Sequence, residues 1–456
     1  MKNTFLALLS IIVILHACTQ TQTIVPQSSP TGWDKVPEIL KNIKEPAFSD
    51  TVFNILDYGA KSDTTFNSRT AILKAINACN LAGGGKVIIP SGNYFIKGPI
   101  VLKSHVNLYI EEGARLEFST NPQDYLPMVL TKWEGTECYN YSPFIYSYQC
   151  TNVAITGKGV IDGNGAAIFN TWKKLEKPGM DRLRQMGNDS IPVYQRVFGE
   201  GYYLRPCMIQ FFGCKNVLVD GVQIYDSPFW IIHPVYCNNV IVRNIYIDGQ
   251  NYNNDGCDPE SSTNVLIENV HFNVGDDGIA IKSGRDQDGW RVGQATENVI
   301  IRNCHFSQWA ITIGSEMSGG VRNIYIEDCQ IDSCRNGIYF KSNMDRGGFF
   351  ENLYMRRIKA DICLWGMVNF RTDYHGYRGG KYPTLFRNIT IEDITCNRVD
   401  SVALMANGIP EAKLHNITLR NIDIKKAPKA TQMKNVENLI LDNIKVNGKL
   451  ILEAEE

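Results

Sequence analysis

Three aspartates suited to acid–base chemistry lie in two short, glycine-containing stretches. Asp255 lies in Asn-Asn-Asp-Gly, and Asp276 and Asp277 lie together in Gly-Asp-Asp-Gly. If these carboxyl groups are close, their repulsion raises the pKa of at least one and keeps a proton available near neutral pH. One protonated and one ionised carboxyl group can together catalyse hydrolysis of a glycosidic bond, because the first protonates the leaving oxygen and the second activates water. Two other roles remain open, because Asp-Gly is typical of turns and clustered carboxylates bind calcium.

A repeat indicates which elements must position these aspartates. A phrase of the form Asn-apolar-x-apolar-x-Asn/Asp-apolar recurs every 22 to 36 residues, beginning at Asn216, Asn239, Asn264, Asn298, Asn323, Asn352, Asn388, Asn416 and Asn438, with an earlier copy at Asn152. Each phrase alternates apolar and polar residues, the period-two pattern of a half-buried strand. Units this short must stack and share a core, which predicts an all-β, right-handed parallel β-helix of about ten coils. Leucine-rich repeats and propeller blades do not fit the pattern or its length.

The repeat also predicts which side chains share a face. The following residues lie 11 to 18 positions after the asparagine that opens their repeat: His233, Asp255, Asp276, Asp277, Trp309 and Lys341. Such similar offsets predict one longitudinal stripe over consecutive coils. Because neighbouring coils are about 4.8 Å apart, Asp255 is expected to face the aspartate pair across one coil spacing.

Two segments differ from the repeats. Ser68–Leu81 has apolar residues at a helical spacing and is followed by three glycines, which predicts a helix that caps the open N-terminal end of the solenoid. Gly163–Arg205 interrupts the rhythm and is predicted to be a long loop that walls a binding groove. Several of the 13 cysteines occupy equivalent places in successive repeats, so we expect small buried hydrophobic residues rather than a disulfide framework.

The first residues predict export and lipidation. Lys2 precedes an apolar run over 5–15 that is too short to span a bilayer and is typical of a signal peptide. Leu15-His16-Ala17-Cys18 resembles a bacterial lipobox, so we expect lipid on the Cys18 thiol and an outer-membrane anchor, facing the periplasm or the cell surface. Simple secretion and an uncleaved anchor are the alternatives. The predicted organisation is a signal peptide (1–17), the lipidated cysteine and a tether (18–50), and one β-helix domain (51–450).

The charge balance excludes some partners. Lys and Arg number 46 against 47 Asp and Glu, a formal net charge of -1. This balance argues against a nucleic-acid-binding protein and against a polybasic membrane-surface protein. It leaves room for a local acidic cluster with a few lysines. We expect no cofactor, no metal ion and a monomer.

Several motifs occur in a characteristic order. NNDGCDPESS is followed by GDDGIAIKSG, with FNILDYGAK and GGGKVIIPSGNYF before them and ITIGSEMSGGVRN and GIYFKSN after them. Together they resemble glycoside hydrolase family 28, the polygalacturonase family, from Phe53 to about Asn447. The resemblance implies a parallel β-helix enzyme that hydrolyses, with inversion, glycosidic bonds next to galacturonic acid.

The resemblance also implies roles for individual residues. Asp276 matches the general acid, and Asp255 and Asp277 match the residues that position and deprotonate the attacking water. Asp258 matches another acidic position of the first motif, with a turn or supporting role as the alternative. Lys341 matches the lysine of an Arg-Ile-Lys motif, whose charge pairs with a substrate carboxylate.

A second substrate-binding lysine and three less certain candidates complete the predicted site. Lys282 could pair with a substrate carboxylate or be a solvated surface lysine. Trp309 replaces the histidine of the family's Gly-His-Gly motif, and Tyr339 replaces the arginine of Arg-Ile-Lys. Either aromatic ring could stack on a sugar or simply fill an outward face. His233 could supply a substitute polar contact or be a structural histidine.

The sequence therefore predicts a glycoside hydrolase of galacturonic-acid-containing pectic polysaccharides or oligosaccharides. A rhamnogalacturonan-type hydrolase is the nearest alternative, because the loss of the family histidine removes a polar partner of the acid cluster and the loss of the arginine removes a uronate-binding charge. A calcium-dependent pectic lyase and a non-catalytic glycan-binding lipoprotein are further alternatives, and the paired aspartate motifs favour hydrolysis. Closure of one end of the groove by Gly163–Arg205 would favour attack at a chain end.

Overall fold

The computed structural model describes residues 32–375 and 378–453. The predicted signal peptide, Cys18 and the first part of the predicted tether lie outside these residues. The α-helices are α1 (Val36–Asn42), α2 (Arg69–Leu81), α3 (Lys177–Asn188) and α4 (Asp286–Val292). Short 3₁₀ helices occupy Gly32–Lys35, Ile55–Tyr58, Pro122–Tyr125, Phe169–Lys174 and Val193–Gln195. Over the described ranges, no helix has the length and apolar character needed to cross a bilayer.

Strands make up most of the remaining chain. In chain order, β1 to β16 are Val52–Asn54, Gly85–Ile89, Gly92–Ile96, Ile100–Val101, Val106–Ile110, Ala114–Phe118, Val129–Trp133, Thr136–Asn140, Ile145–Tyr148, Thr151–Gly157, Val160–Asp162, Ile209–Phe212, Lys215–Asp220, Gln223–Tyr225, Ile232–Val235 and Asn238–Arg243. Strands β17 to β32 are Tyr246–Gly249, Thr263–Glu268, His271–Val274, Ile279–Ile281, Thr296–Arg302, His305–Phe306, Ile311–Ile313, Val321–Glu327, Gln330–Lys341, Phe349–Arg371, Leu385–Val399, Val402–Asn407, Leu414–Ile424, Lys429–Lys434, Val436–Val446 and Lys449–Ile451.

The strands stack coil on coil in parallel register, as a right-handed parallel β-helix requires. One interior column runs through Val217, Val240, Val265, Val299 and Ile324, and all five side chains are buried. Each is the apolar residue directly after the asparagine of a repeated phrase. The repeated phrase therefore supplies one buried residue per coil to a shared core, and the predicted fold class is confirmed.

The opening asparagines form a ladder along the outside of the turns. Asn216 and Asn239 adopt φ values of 55° and 62°, a conformation that asparagine tolerates better than most residues. The Nδ2 of Asn216 donates to Oδ1 of Asn152 at 2.7 Å, and the Nδ2 of Asn239 donates to Oδ1 of Asn216 at 2.8 Å. These bonds explain why the same residue type returns in each coil.

The N-terminal end of the solenoid is covered as predicted. Helix α2 begins one residue later than the predicted Ser68–Leu81 and buries Ala71, Ile72, Ala75, Ile76 and Cys79 against the core. It therefore shields the first strand edges from further pairing. The twelve cysteines of the described chain are all buried and none forms a disulfide.

The segment before β1 differs from the tether that the sequence predicts. From Gly32 onward the chain forms a 3₁₀ helix and α1, and Ile39 and Ile43 pack with Leu218, Ile241 and Leu266 on an apolar outer stripe of the solenoid. The side chain of Asn239 accepts a hydrogen bond from the backbone N–H of Lys44 and donates one to its carbonyl. The packed body thus includes the described residues before position 51, because apolar side chains at helical spacing bury this segment.

Two insertions rise above the solenoid face that contains the aspartates. The β7–β8 hairpin is antiparallel, and Gly163–Arg205 contains α3 and two 3₁₀ helices rather than a simple loop. Helix α3 packs on β8 and α4, where Gly187 permits close approach to Thr136. Arg196 pairs with Asp288 of α4 at 2.6 Å, which fixes the end of the insertion.

Candidate active site

The stacking register brings the three predicted catalytic aspartates together. Cys257 pairs in parallel with Ile279 of β20, so Asp255 and Asp277, each two residues earlier, occupy equivalent places on adjacent coils. The backbone N–H of Gly256 donates to the carbonyl of Asp277 at 2.9 Å. Asp255, Asp276 and Asp277 line one pocket, as the repeat offsets predict.

Asp277 is held by two neighbouring coils. Its Oδ1 accepts a hydrogen bond from Oγ1 of Thr312 at 2.6 Å, and its Oδ2 accepts one from Nζ of Lys341 at 2.7 Å. Burial alone would lower the pKa of Lys341, but Asp277, Tyr374 and Asp276 together outweigh this effect and raise it. A carboxylate oriented in this way can position a water molecule and accept its proton.

Asp276 has a different environment although it is the adjacent residue. It is half-buried rather than fully enclosed, and its one hydrogen bond in the described chain comes from the backbone N–H of Asp277 at 3.0 Å. Burial and the nearby Asp277 carboxylate raise its pKa, while Lys341 lowers it. Asp276 therefore combines a stabilised proton with access to the pocket, the two properties of a general acid.

Asp255, which lines the pocket, and Asp258, which does not, form a second acidic pair. Burial, followed by the neighbouring carboxylates, raises the pKa of Asp255 to about 8, and burial also raises that of Asp258. Lys282 contacts both, at 3.3 Å from Asp255 and 3.5 Å from Asp258. Since Asp258 is fully buried and its oxygens accept no hydrogen bond from the described residues, a proton shared with Asp255 satisfies both groups. Asp258 therefore supports the site without lining the pocket.

The aspartates border a pocket of about 470 Å³. Its cationic lining residues are Lys173, Arg184, Lys282, Arg285, Lys341, Arg346 and Arg378. Two of them, Lys173 and Arg184, come from the Gly163–Arg205 insertion, and Arg378 comes from the segment after β26. A chain with almost no net charge thus concentrates positive charge opposite a carboxylate cluster.

Several of these cations were not singled out from the sequence. Arg285 donates to Glu316, which lies beside Lys282 at 3.4 Å. Burial and the neighbouring Arg346 and Arg184 lower the pKa of Arg285 to about 10. The sequence held a signal for both residues, because Arg285 directly follows the GDDGIAIKSG motif and Glu316 lies within ITIGSEMSGGVRN.

The predicted lysines both line the pocket, but their partners are protein carboxylates. Lys282 has Asp255, Asp258 and Glu316 around it and lies 4.4 Å above the ring of Trp230. It is 3% exposed, which excludes the interpretation of a solvated surface lysine.

His233 does not contact the pocket, so its prediction as a substrate-binding residue is corrected. It is fully buried, and its Nε2 lies 2.8 Å from Glu260, which pairs with Lys132 of the β7–β8 hairpin at 2.9 Å. Its Nδ1 accepts from Nε2 of Gln210 at 3.0 Å, which requires the proton on Nε2. Burial lowers the pKa of His233. The histidine is structural and helps to attach the hairpin.

The two aromatic replacements also lie outside the pocket lining. Tyr339 is 6% exposed and packs against Tyr374, with Lys341 5.0 Å from its ring centroid, so it cannot stack on a sugar. Trp309 is half-buried one coil beyond Asp277, and Arg335 lies over its ring. Stacking of Trp309 on a sugar stays a prediction.

A parallel β-helix whose pocket places one proton-bearing carboxyl group beside an oriented carboxylate belongs to the class of glycoside hydrolases that work by general acid–base catalysis. Comparison with known proteins narrows this class. Residues 86–445 match the model of Glycosyl hydrolases family 28, and the chain belongs to this family. Residues 52–115 also match the model described as Rhamnogalacturonase A/epimerase, pectate lyase-like.

Individual relatives cover most of the chain. The solved exopolygalacturonase of Thermotoga maritima is 35% identical, with a TM-score of 0.84 over 91% of this chain and 96% of that one. The endo-polygalacturonase of Pectobacterium carotovorum subsp. carotovorum is 27% identical over 82% of this chain and 88% of its own length. The probable polygalacturonase of Vitis vinifera is 27% identical over 83% of this chain and 75% of its own length.

Proposed function

We propose that the protein removes galacturonic acid residues from the ends of pectic chains, by hydrolysis with inversion. The observation that carries the proposal is the enclosure of the aspartate pocket. Met180 and Arg184 of α3, Glu134 of the hairpin, and Tyr374 and Arg378 of the segment after β26 line its walls. A pocket closed by insertions accepts a chain end more readily than the middle of a polymer.

The substrate class follows from the charge of the lining. A galacturonate residue carries one carboxylate, and the lining includes Lys341, Arg346 and the exposed Arg378. Guanidinium groups bind carboxylates in a bidentate manner, so uronate recognition suits this wall. The names of the relatives above, exopolygalacturonase and endo-polygalacturonase, support the same substrate class.

The mechanism uses the contrast between neighbouring aspartates. Asp276 donates its proton to the glycosidic oxygen, and the bond to the sugar C1 breaks as the leaving hydroxyl forms. Asp277, oriented by Thr312 and Lys341, accepts the proton of a water molecule that attacks C1 from the opposite face. Asp255 lies next to Asp277 and helps to position that water.

A product time course on polygalacturonate tests the proposal. We expect galacturonic acid as the sole early product, with little early loss of solution viscosity. Because inversion at an α-linkage yields the β-anomer, the first NMR spectra should show β-galacturonic acid before mutarotation, and an initial excess of the α-anomer would contradict inversion. Early release of mixed oligosaccharides would contradict end-on attack. Release of products only from rhamnogalacturonan would favour the rhamnogalacturonan-type alternative, and unsaturated, ultraviolet-absorbing products would indicate a lyase.

The proposal extends to location and assembly. Export and lipid attachment at Cys18 are supported by the lipobox-like Leu15-His16-Ala17-Cys18, which would anchor a monomeric enzyme to the outer membrane. Metabolic labelling with a fatty acid should mark the protein, and Cys18→Ser should abolish the label while the enzyme stays active. Equal labelling of both proteins would contradict lipidation at this residue. Light scattering of the Cys18→Ser protein, measured without detergent, reports the oligomeric state, and a monomer is expected.

A further inference from the structure

Arg335 lies between two tryptophan rings on coils that follow the catalytic aspartates. Its guanidinium carbon is 4.4 Å from the ring centroid of Trp309 and 5.0 Å from that of Trp365. Arg335 is exposed, and Trp365 is 46% exposed. Stacking engages the flat faces of the guanidinium and leaves the N–H donors along its edge unused. We call these three residues the Trp–Arg–Trp stack.

Arg335 also lacks a carboxylate partner. Every other arginine between Arg302 and Arg420 has an Asp or Glu oxygen within 4.0 Å in the described chain. No such ion pair and no side-chain hydrogen bond involves Arg335 among the same described residues. On an outer surface where arginines are otherwise neutralised, this one lies between two aromatic rings and keeps its charge available for an anion.

The position of the stack connects it to the active site. Trp309 lies two residues before β23, as Asp277 lies two residues before β20, and Ile279 and Ile311 of these strands are paired. Arg335 and Trp365 follow on the next two coils, where Cys334 pairs with Cys363. With about 4.8 Å between coils, the stack extends roughly 5 to 15 Å from Asp277 along the solenoid, away from the Gly163–Arg205 insertion.

We propose that the Trp–Arg–Trp stack binds a galacturonate residue of the part of the polymer that remains outside the pocket. The carboxylate of that residue pairs with the guanidinium edge of Arg335, and its sugar ring packs on the exposed face of Trp365. This inference rests on the proposed function for its substrate class. It gives the aromatic residue at position 309 a role other than the predicted stacking on a sugar, since the ring of Trp309 supports Arg335.

Chain length separates this site from the pocket. Binding is measured by calorimetry on the Asp276→Asn protein, which should hold oligosaccharides without cleaving them, with digalacturonate and octagalacturonate as probes. We expect Arg335→Gln to weaken octagalacturonate binding about 3- to 10-fold, the range for loss of one ordinary, solvent-exposed hydrogen-bonded contact, and to leave digalacturonate binding unchanged. The difference in octagalacturonate affinity between Arg335→Gln and the parent should become smaller as salt is added, because salt screens the charge of Arg335. Arg387→Gln, which removes an exposed arginine paired with Glu351, is the matched control and should change neither.

A second variant keeps the test independent of folding. Trp365→Ala removes the proposed sugar-binding ring and should also weaken only the long probe, with an unchanged melting temperature. Equal affinities of Arg335→Gln and the parent for octagalacturonate would overturn the inference, as would equal weakening for both probes. Failure of the proposed function is a separate result, because it would appear as no hydrolysis of any galacturonate oligomer by the protein with Asp276 intact.

Discussion

The coils that carry the pocket and the coils that follow them use the same repeat in different ways. In the C-terminal coils, β27, β29 and β31 run for 15, 11 and 11 residues, and charged side chains pair on the surface, as Arg420 does with Asp442. In the pocket coils, β20 and β23 run for only three residues, and charges such as Asp255 and Lys282 are buried.

The difference shows where stability and chemistry are located. Long strands in register bury apolar columns at little cost, and exposed ion pairs add only about 0 to 1 kcal/mol each. In the coils of the catalytic aspartates, β20 and β23 are short, and the turns before them bring carboxylates into a buried environment that shifts their pKa values. Substitutions in the two regions should therefore separate activity from stability.

The largest expected effect is on activity in the pocket coils. Asp276→Asn removes the proton donor and should lower kcat on polygalacturonate by about 10²- to 10⁴-fold. Because the Asp276 side chain has only one hydrogen bond in the described chain, the melting temperature should hardly change. Asp442→Asn in the C-terminal coils is the control and should retain full activity. A kcat within threefold of the parent would remove Asp276 from the role of general acid.

The converse effect is expected in the C-terminal coils. Ile422 of β29 is fully buried between Ile394 and Ile444 of the adjacent coils, so Ile422→Ala leaves a cavity and should lower the free energy of unfolding by about 2 to 5 kcal/mol. Activity measured well below the unfolding transition should be unchanged, because the pocket lining ends before these coils. Denaturant unfolding followed by circular dichroism measures the change, and a large loss of kcat in the folded variant would contradict the separation.

The sequence could predict the fold and the aspartates because both depend on local pattern. Asparagine spacing reports coil length, and parallel register then places Asp255 beside Asp277 without further information. What the sequence could not predict depends on insertions of irregular length: Arg184 and Arg378 reach the pocket from segments that do not follow the repeat. His233 shares the offset of the catalytic stripe, but the β7–β8 hairpin covers it. The hairpin lies outside the repeat, so the repeat spacing could not predict that His233 is covered.

A smaller effect on the pocket is expected from the lysine that pairs with Asp277. Lys341 lowers the pKa of Asp276, so Lys341→Gln should raise that pKa and keep the general acid protonated to higher pH. The basic limb of the kcat/KM profile should therefore move upward, by up to about one pH unit, while the maximal rate falls because Asp277 loses a contact. Lys413→Gln, which breaks an exposed pair with Glu437 in the C-terminal coils, should leave the profile unchanged. A basic limb that moved to lower pH would reverse the assigned coupling.

The smallest expected effect concerns the asparagine ladder of the C-terminal coils. Asn416 has a φ of 56°, and its Oδ1 accepts from Nδ2 of Asn438 at 3.2 Å. Asn416→Gly keeps the backbone conformation but removes the acceptor, so it should lower the free energy of unfolding by about 1 kcal/mol. Asn416→Asp keeps both an acceptor and tolerance of positive φ, and should be closer to the parent. Equal stability of all three proteins would show that the apolar columns alone set the register, and that the recurring asparagine is needed only for its turn conformation.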